Sequence, residues 1–365
     1  MAKDTKKKGR GFIIGILIYA HLFLIATDIG LKYLWGFMDA YEASRPENTI
    51  NAYMERLTPY YICEESEDLI AQIDHHIQSE DACKLVIAKA VSGEISYARK
   101  TSECTEDKMV YVLRTGGRII GRVEMRPQGE PRYGFAPWVV TSDEFDLSYL
   151  LTGTETVQAP SQYVVRANGA RLGKAYMVES GIKYSALEEM YEKYEGVPTQ
   201  VRYTAGPCLG ELTIRVEDTQ GNKVTVDEDT DMNQFLEQGS DEIRAELESF
   251  NDDFLRRYIR FLTSNGTNVH MNYQYLSNVL LKGSELQKRC AQARNGLTYG
   301  QSKSDKVVSI TINRSVCIGE DRYMLDVTYV VDTKGREGVV QTTNNAKYVV
   351  VDTDKGLKAE WLISY

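Results

Sequence analysis

Seventeen consecutive uncharged residues, Gly11 to Thr27 (GFIIGILIYAHLFLIAT), follow directly on the segment MAKDTKKKGR, which carries five basic side chains and one acidic. A helix rises about 1.5 Å per residue and a hydrocarbon core is about 30 Å thick, so the stretch covers most of a bilayer. Asp28 interrupts it, yet Ile29, Leu31, Tyr33, Leu34 and Trp35 continue the apolar pattern. Asp28 and Lys32 stand four apart, acid before base, and can pair on one helix face. The sequence predicts a basic cytoplasmic tail over residues 1–10 and one transmembrane anchor over residues 11–35. Its anchor residues are Phe12, Ile13, Ile14, Leu17, Leu22, Phe23 and Leu24, with Trp35 in the outer headgroup belt.

The positive-inside rule puts the N-terminus in the cytoplasm and the bulk of the chain outside. Leu24-Ile25-Ala26 has a large residue where a signal-peptide cleavage site needs a small one, so a retained signal-anchor is expected. A cleaved signal and a buried soluble helix are the competing readings. Residues 1–38 hold six basic and two acidic side chains, net +4, which leaves −13 on the remainder of a chain whose total is −9. An acidic exterior argues against broad binding to nucleic acid or anionic wall polymers. With 42% apolar and 26% charged residues the chain is an ordinary globular one, not a disordered one. A mean hydropathy of −0.37 excludes a polytopic membrane protein.

Two stretches read as copies of each other. Tyr53-Met54-Glu55-Arg56-Leu57-Thr58 matches Tyr258-Ile259-Arg260-Phe261-Leu262-Thr263 at an offset of 205. Cys83 and Gly93 match Cys290 and Gly300 at 207, Cys104 matches Cys317 at 213, Gly117-Arg118 matches Gly335-Arg336 at 218, and Trp138 matches Trp361 at 223. The order is kept and the offset grows in small steps, as loop insertions would make it. Each copy begins with helical periodicity: Ile50, Tyr53, Met54 and Leu57 in one, Leu247, Phe250, Phe254, Tyr258, Phe261 and Leu262 in the other. Second helical stretches are expected over Asp68–Ser79 and Tyr273–Lys282, and a third carries Cys83 or Cys290. The period then becomes two. Val308, Ile310, Ile312 and Val316 alternate with polar residues, and Tyr323, Leu325, Val327, Tyr329 and Val331 line one strand face. Asp332–Gly335 and Asp352–Gly356 read as hairpin turns, and Ala359–Tyr365 as the last strand. Copy one has Met109–Arg114, Arg118–Arg126 and Phe135–Val140.

Helices followed by an antiparallel meander that ends in a Trp-bearing strand make an α+β fold. Over residues 45–148 and 240–365 this order resembles the nuclear transport factor 2-like (NTF2-like) superfamily. The resemblance implies two cone-like domains, each a curved antiparallel sheet around a few helices. It rests on element order and not on a diagnostic motif. Membrane-anchored members include N-terminal domains of some penicillin-binding proteins, extracellular parts of envelope-stress proteins and components of conjugation machines. Between the copies, residues 152–238 read as a small α+β module, with an amphipathic Tyr184–Glu195 and a linker from Asp227 to Gly239.

All six cysteines follow the anchor, and an exported region favours disulfides. The repeat pairs Cys83 with Cys104 and Cys290 with Cys317, one bridge per copy. Cys63 and Cys208 could bridge a copy to the middle module or stay free. The competing reading is that the cysteines are buried free thiols packing as small hydrophobes.

Chemistry is hard to find. His21 lies in the anchor. His75-His76, adjacent on an expected helix, point to different faces and chelate poorly. HExxH, CxxC, P-loop and GxSxG patterns are missing. Asp227, Asp229 and Asp231 start like a calcium loop, but Met232 and Gln238 stand where glycine and glutamate belong. Asp252-Asp253 reads as solvated, and Tyr184, Tyr191 and Tyr194 as core and rim. The glycosylation sequons at Asn265 and Asn313 occur at the rate chance supplies. No catalytic, cofactor or metal residue is expected.

The expectation is therefore a non-catalytic, single-pass envelope protein of a bacterium, binding or scaffolding a protein partner, with a small molecule in the cone as a further option. The alternatives are a subunit of a conjugation or secretion assembly, and a small hydrolase or isomerase on the same cone. The enzyme would need a buried His–Asp pair, and His270 is the only His available in copy two.

Overall fold

In the computed structural model, residues 5–364 are described apart from 228, 265–266, 299–303, 320 and 336–337. The chain is α+β, as the sequence predicts: one N-terminal apolar helix, then helices and several antiparallel sheets. It divides into two compact units. The first comprises Met1–Glu155, Ala167–Ala170 and Ala205–Ile214, and the second comprises the rest.

Helix α1 runs unbroken over Thr5–Ala43. From Gly11 the helix is long and apolar enough to cross a membrane, and its most apolar stretch is not buried. Phe12, Ile13, Ile14, Leu17, Leu22, Phe23, Leu24 and Trp35 are all exposed. The expected pair forms, with Lys32 Nζ 2.9 Å from Asp28 Oδ2.

The rest of the first unit is a helix layer on a sheet. Helix α2 (Pro46–Arg56) opens on a proline, whose missing N–H costs nothing in a first turn. Thr58 caps α3 (Pro59–Glu64) by accepting the Tyr61 N–H at 3.2 Å, and α4 (Glu67–Ile70) follows. Ser79 caps α5 (Glu80–Ala90) in the same way. Strands β1 (Ile95–Arg99), β2 (Met109–Thr115), β3 (Arg118–Pro127) and β4 (Trp138–Phe145) form an antiparallel meander in sequence order. Ile50, Ile62, Ile87, Leu113, Ile120, Val123 and Met125, all fully buried, join the two layers. Gly121 is required where β3 and β4 approach, because a Cβ there would lie 2.5 Å from the Glu144 carbonyl oxygen.

The expected helix over Asp68–Ser79 does not form beyond Ile70. Asp74 Oδ1 accepts the His76 N–H at 3.0 Å, closing a turn, and the Asp74 amide donates to Pro207 O at 3.1 Å. His75 and His76 therefore sit on a turn and not on a helix.

Short strands follow: β5 (Leu151–Thr152), β6 (Glu155–Pro160), β7 (Val164–Ala167), β8 (Ala170–Arg171), β9 (Met177–Lys183), β10 (Thr199–Ala205), β11 (Cys208–Leu209), β12 (Ile214–Glu217) and β13 (Lys223–Val224). They form sheets ordered β6-β10-β9, β11-β5 and β13-β12-β7-β8. Tyr184–Glu195 is not an amphipathic α-helix. Only a 3₁₀ turn, Ser185–Met190, forms, and Leu187 leaves helical geometry at φ −114° and ψ 16°. The Tyr191 hydroxyl takes the Tyr184 N–H at 2.9 Å and donates to Pro198 O at 2.6 Å, tying the segment into a loop.

The second unit holds α6 (Asp241–Leu262, capped by Ser240), α7 (Thr267–Ser277) and α8 (Glu285–Thr298). Its meander is β14 (Ser304–Gly319), β15 (Arg322–Gly335), β16 (Gly338–Val351) and β17 (Lys358–Ser364). Phe254 is its central core residue. The ring stacks on Phe250 at 5.8 Å and meets Tyr348 at 5.0 Å. Asp332–Gly335 is strand rather than turn: Asp332 pairs with Gln341, so the ladder runs four residues past the expected end.

Tyr53 is on α2 and Tyr258 on α6, Cys83 on α5 and Cys290 on α8, and Trp138 and Trp361 on the fourth strand of each meander. Gly300, Arg336, Asn265 of the first sequon, residue 228 of the calcium-like loop, and Tyr365 at the end of the expected last strand lie outside the described residues.

Candidate functional site

Helix α2 ends at Arg56 and α3 begins at Pro59. That break turns the chain so that the last turn of α2 and the first turn of α3 face the same strand, β4. Thr49 Oγ1 donates to Trp138 O at 3.1 Å and fixes α2 on β4. Tyr53, Arg56, Leu57, Tyr61 and the β4 residues Val140, Thr141, Ser142 and Asp143 then line a cleft of about 400 Å³.

Asp143 is the focus of this cleft. The hydroxyls of Tyr53 and Tyr61 both donate to its Oδ2, each at 2.7 Å. The two rings meet edge to face at 6.5 Å, and Phe145 supports Tyr61 at 6.3 Å. Burial, reinforced by the Asp143 carboxylate, holds the Tyr53 phenol well above its ordinary range. The hydrogen bond to Asp143, with burial second, pushes Tyr61 up to about 12. Both hydroxyls thus remain donors through the physiological range. Among the described residues, Asp143 Oδ1 has no protein donor and the exposed Arg56 makes no ion pair. The cleft offers one carboxylate acceptor and one guanidinium donor fork over an apolar floor. That set suits a group with both a donor and an acceptor, such as an amide.

Among the described residues the second unit builds no counterpart. Its buried tyrosine on the sheet, Tyr348, donates to Asn251 at 2.5 Å inside the core. A cleft of about 330 Å³ lies beside Asp253, Arg256, Arg257, Arg260, Asn272 and Tyr275. Arg256 is held bidentately by Asp252 at 2.7 and 2.9 Å, and Arg257 by Asp253 at 2.7 Å, so two of its three cations are already neutralised.

The expected bridges Cys83–Cys104 and Cys290–Cys317 are not formed, nor is Cys63–Cys208. All six cysteines are free thiols, with none at bonding distance from another. Cys83 lies inside the helix layer. Cys104 sits outside it between β1 and β2, where its thiol donates to Lys100 O at 3.3 Å and accepts the Val110 N–H at 3.4 Å. Cys290 is in the helical core of the second unit, while Cys317 on β14 turns its thiol to Gly319 O at 3.2 Å. Cys63 donates to Lys84 O at 3.4 Å, and Cys208 is buried on β11. Equivalent positions in a repeat do not place two sulfurs within reach. Disulfide geometry needs Cβ atoms about 3.5–4.5 Å apart.

Sequence reasoning missed Asp143, Tyr53 and Tyr61 as a set. In the sequence Tyr53 shows only as part of a helical period and of the repeat, and Asp143 lies beyond the expected strand Phe135–Val140, since β4 runs instead over Trp138–Phe145. Among the described residues, no group of three His, Cys, Asp or Glu side chains could hold a metal ion.

No family model matches this chain, and no curated protein matches it. Solved structures with some likeness include the intermembrane-space region of the chloroplast protein ARC6, at 12% identity and TM-score 0.27 over 35% of this chain and 98% of that one. The periplasmic domain of DotI is similar at 15% identity and TM-score 0.26, over 35% and 97%. An NTF2-like protein involved in plasmid conjugation is similar at 10% identity and TM-score 0.23, over 74% and 76%. At such scores the overlaps say nothing about ligand or partner.

Proposed function

We propose that this chain is a single-pass, membrane-anchored binding protein of a bacterial cell envelope, with its N-terminus in the cytoplasm and its bulk outside. Two duplicated NTF2-like domains, 45–148 and 240–365, flank a small module, 152–238. The first domain takes an amide-bearing ligand or partner segment in the cleft at Asp143, without catalysis. The observation that carries the binding role is the double clamp on Asp143. Two tyrosines fix one carboxylate oxygen at 2.7 Å each and leave the other to the cleft. The anchor supports the location: a helix with exposed apolar side chains on every face needs an apolar solvent. The order of helices and meander in both units supports the family reading.

Two measurements test this. A phosphatase reporter fused after Ser364 is active outside the cytoplasm, and the full chain resists alkaline extraction from membranes; an inactive reporter overturns the orientation. A photoreactive residue in place of Thr141 crosslinks in the native envelope to a discrete species, at least tenfold less in Asp143→Ala. Equal yield in both chains removes the cleft as the binding site.

A further inference from the structure

Helix α1 does not end where a bilayer would. At about 1.5 Å per residue, a hydrocarbon core of about 30 Å takes up roughly twenty residues, from Gly11 to about Gly30. The remaining turns, to Ala43, project beyond it. Tyr33, Phe37 and Tyr41 are spaced by four and share one face of this projection. They lie about 5, 11 and 17 Å past the hydrocarbon edge by the same rise. The headgroup layer is about 5–7 Å thick on each side.

The connection between β3 and β4 packs against that face. Phe135 meets Phe37 at 5.2 Å and Tyr41 at 5.4 Å. One rung nearer the bilayer, Tyr133 meets Tyr33 edge-on at 5.1 Å and Phe37 at 6.3 Å. Gly36 makes room for it, because a Cβ there would sit 2.8 Å from the Tyr133 hydroxyl oxygen. Arg132 pairs with Asp39 of the helix at 3.3 Å, and both remain well exposed. The tip is a two-residue turn. Arg132 and Phe135 exchange both main-chain bonds at 3.0 Å, with Tyr133 at φ 52° and Gly134 at φ 88°. Asn-Gly suits such a turn, whereas a bulky residue at positive φ is costly. A tyrosine there is held by what its ring does.

We propose that this hairpin tip is a membrane-contact element: the Tyr133 ring rests at the phospholipid headgroup layer and holds the first unit against the bilayer. The proposal rests on α1 being a membrane span. Tyr133 stands on the rung between Tyr33 and Phe37, at the height of the headgroups. Trp35, 79% exposed, lies at the same level on the helix. Tyrosine and tryptophan favour that layer because one part of each ring system is apolar and one part polar. The occupant is thus phospholipid headgroups, and the first unit stands at a fixed height instead of swinging on a loose tether.

The test uses the full chain in vesicles of phosphatidylcholine and phosphatidylglycerol. A benzophenone side chain replaces Tyr133, Leu22 or Ile119 in three separate chains. Ile119 is exposed at the opposite end of β3, about 30 Å away at 3.3 Å per residue. The expected result is lipid adducts at Leu22 and at position 133, the latter at least tenfold above Ile119. Adducts at Leu22 with position 133 no better than Ile119 would overturn the contact while leaving the anchor intact. Absence of adducts at Leu22 would overturn the anchor and the proposal together. In Gly36→Leu the seat for the ring is filled, so the yield at position 133 falls at least fivefold with Leu22 unchanged and near-ultraviolet dichroism retained. An undiminished yield in that variant sinks the clamp.

Discussion

The Tyr53 hydroxyl on α2 donates to Asp143 Oδ2 on β4 at 2.7 Å, across ninety positions of chain. Tyr61 adds a second bond to the same oxygen. The folded chain keeps both phenolic protons beyond the ordinary tyrosine value near 10, Tyr61 up to about 12. The unfolded chain loses them near 10. Their contribution to stability is therefore complete below pH 10 and is lost as pH rises toward 12. Asp143→Ala removes the acceptor of the hydrogen bond that leads the Tyr61 shift. Tyrosinate absorbance, read as the difference from Tyr61→Phe, should then move down toward pH 10. A curve that does not move would show that burial alone sets the value.

Gln78 grips the main chain of Leu209 from both sides. Its Nε2 donates to Leu209 O at 3.0 Å and its Oε1 accepts the Leu209 N–H at 2.7 Å. Gln78→Ala leaves two buried main-chain groups unpaired, at about 1–3 kcal/mol for each group that water does not reach. Exchange of the Leu209 amide should quicken at least tenfold. An unchanged rate would mean that water or a neighbour replaces the side chain.

Phe254→Ala empties the aromatic stack with Phe250, Tyr258 and Tyr348. The expected cost is about 3–5 kcal/mol, read as a lower denaturation midpoint for the second unit. Phe254→Leu, which keeps most of the volume, should cost clearly less.

Six thiols should titrate after denaturation without reductant. In the folded chain Cys104 and Cys317, both half-buried, should react first. Cys290 should react slowly, since burial pushes its thiol up to about 11 and leaves little thiolate. Likewise burial, with Cys208 nearby, raises Cys83. A count of two or of none before reductant would restore the bridged arrangement.

Local features carried far in this chain. The continuous apolar run and the Asp28–Lys32 spacing determined α1 and its ion pair, because both depend only on neighbours within one or two turns. The 3.6-residue period of Leu247, Phe254 and Phe261 marked α6, and apolar–polar alternation marked β14 and β15, although a bulge at Val307/Ser309 turns Val308 to solvent. The same periodic logic failed at Asp68–Ser79 and Tyr184–Glu195. There one side-chain oxygen in each, on Asp74 and on Tyr191, takes a main-chain N–H and closes the segment locally. Equivalent places in a repeat suggested sulfur pairs, but pairing needs two Cβ atoms within a few ångströms, and place in a repeat does not supply that. Only the tertiary structure decided that Asp143 meets Tyr53 and Tyr61, and that the Tyr133 ring lies on Gly36. Each of these joins residues far apart in sequence, and no local pattern encodes such a distance.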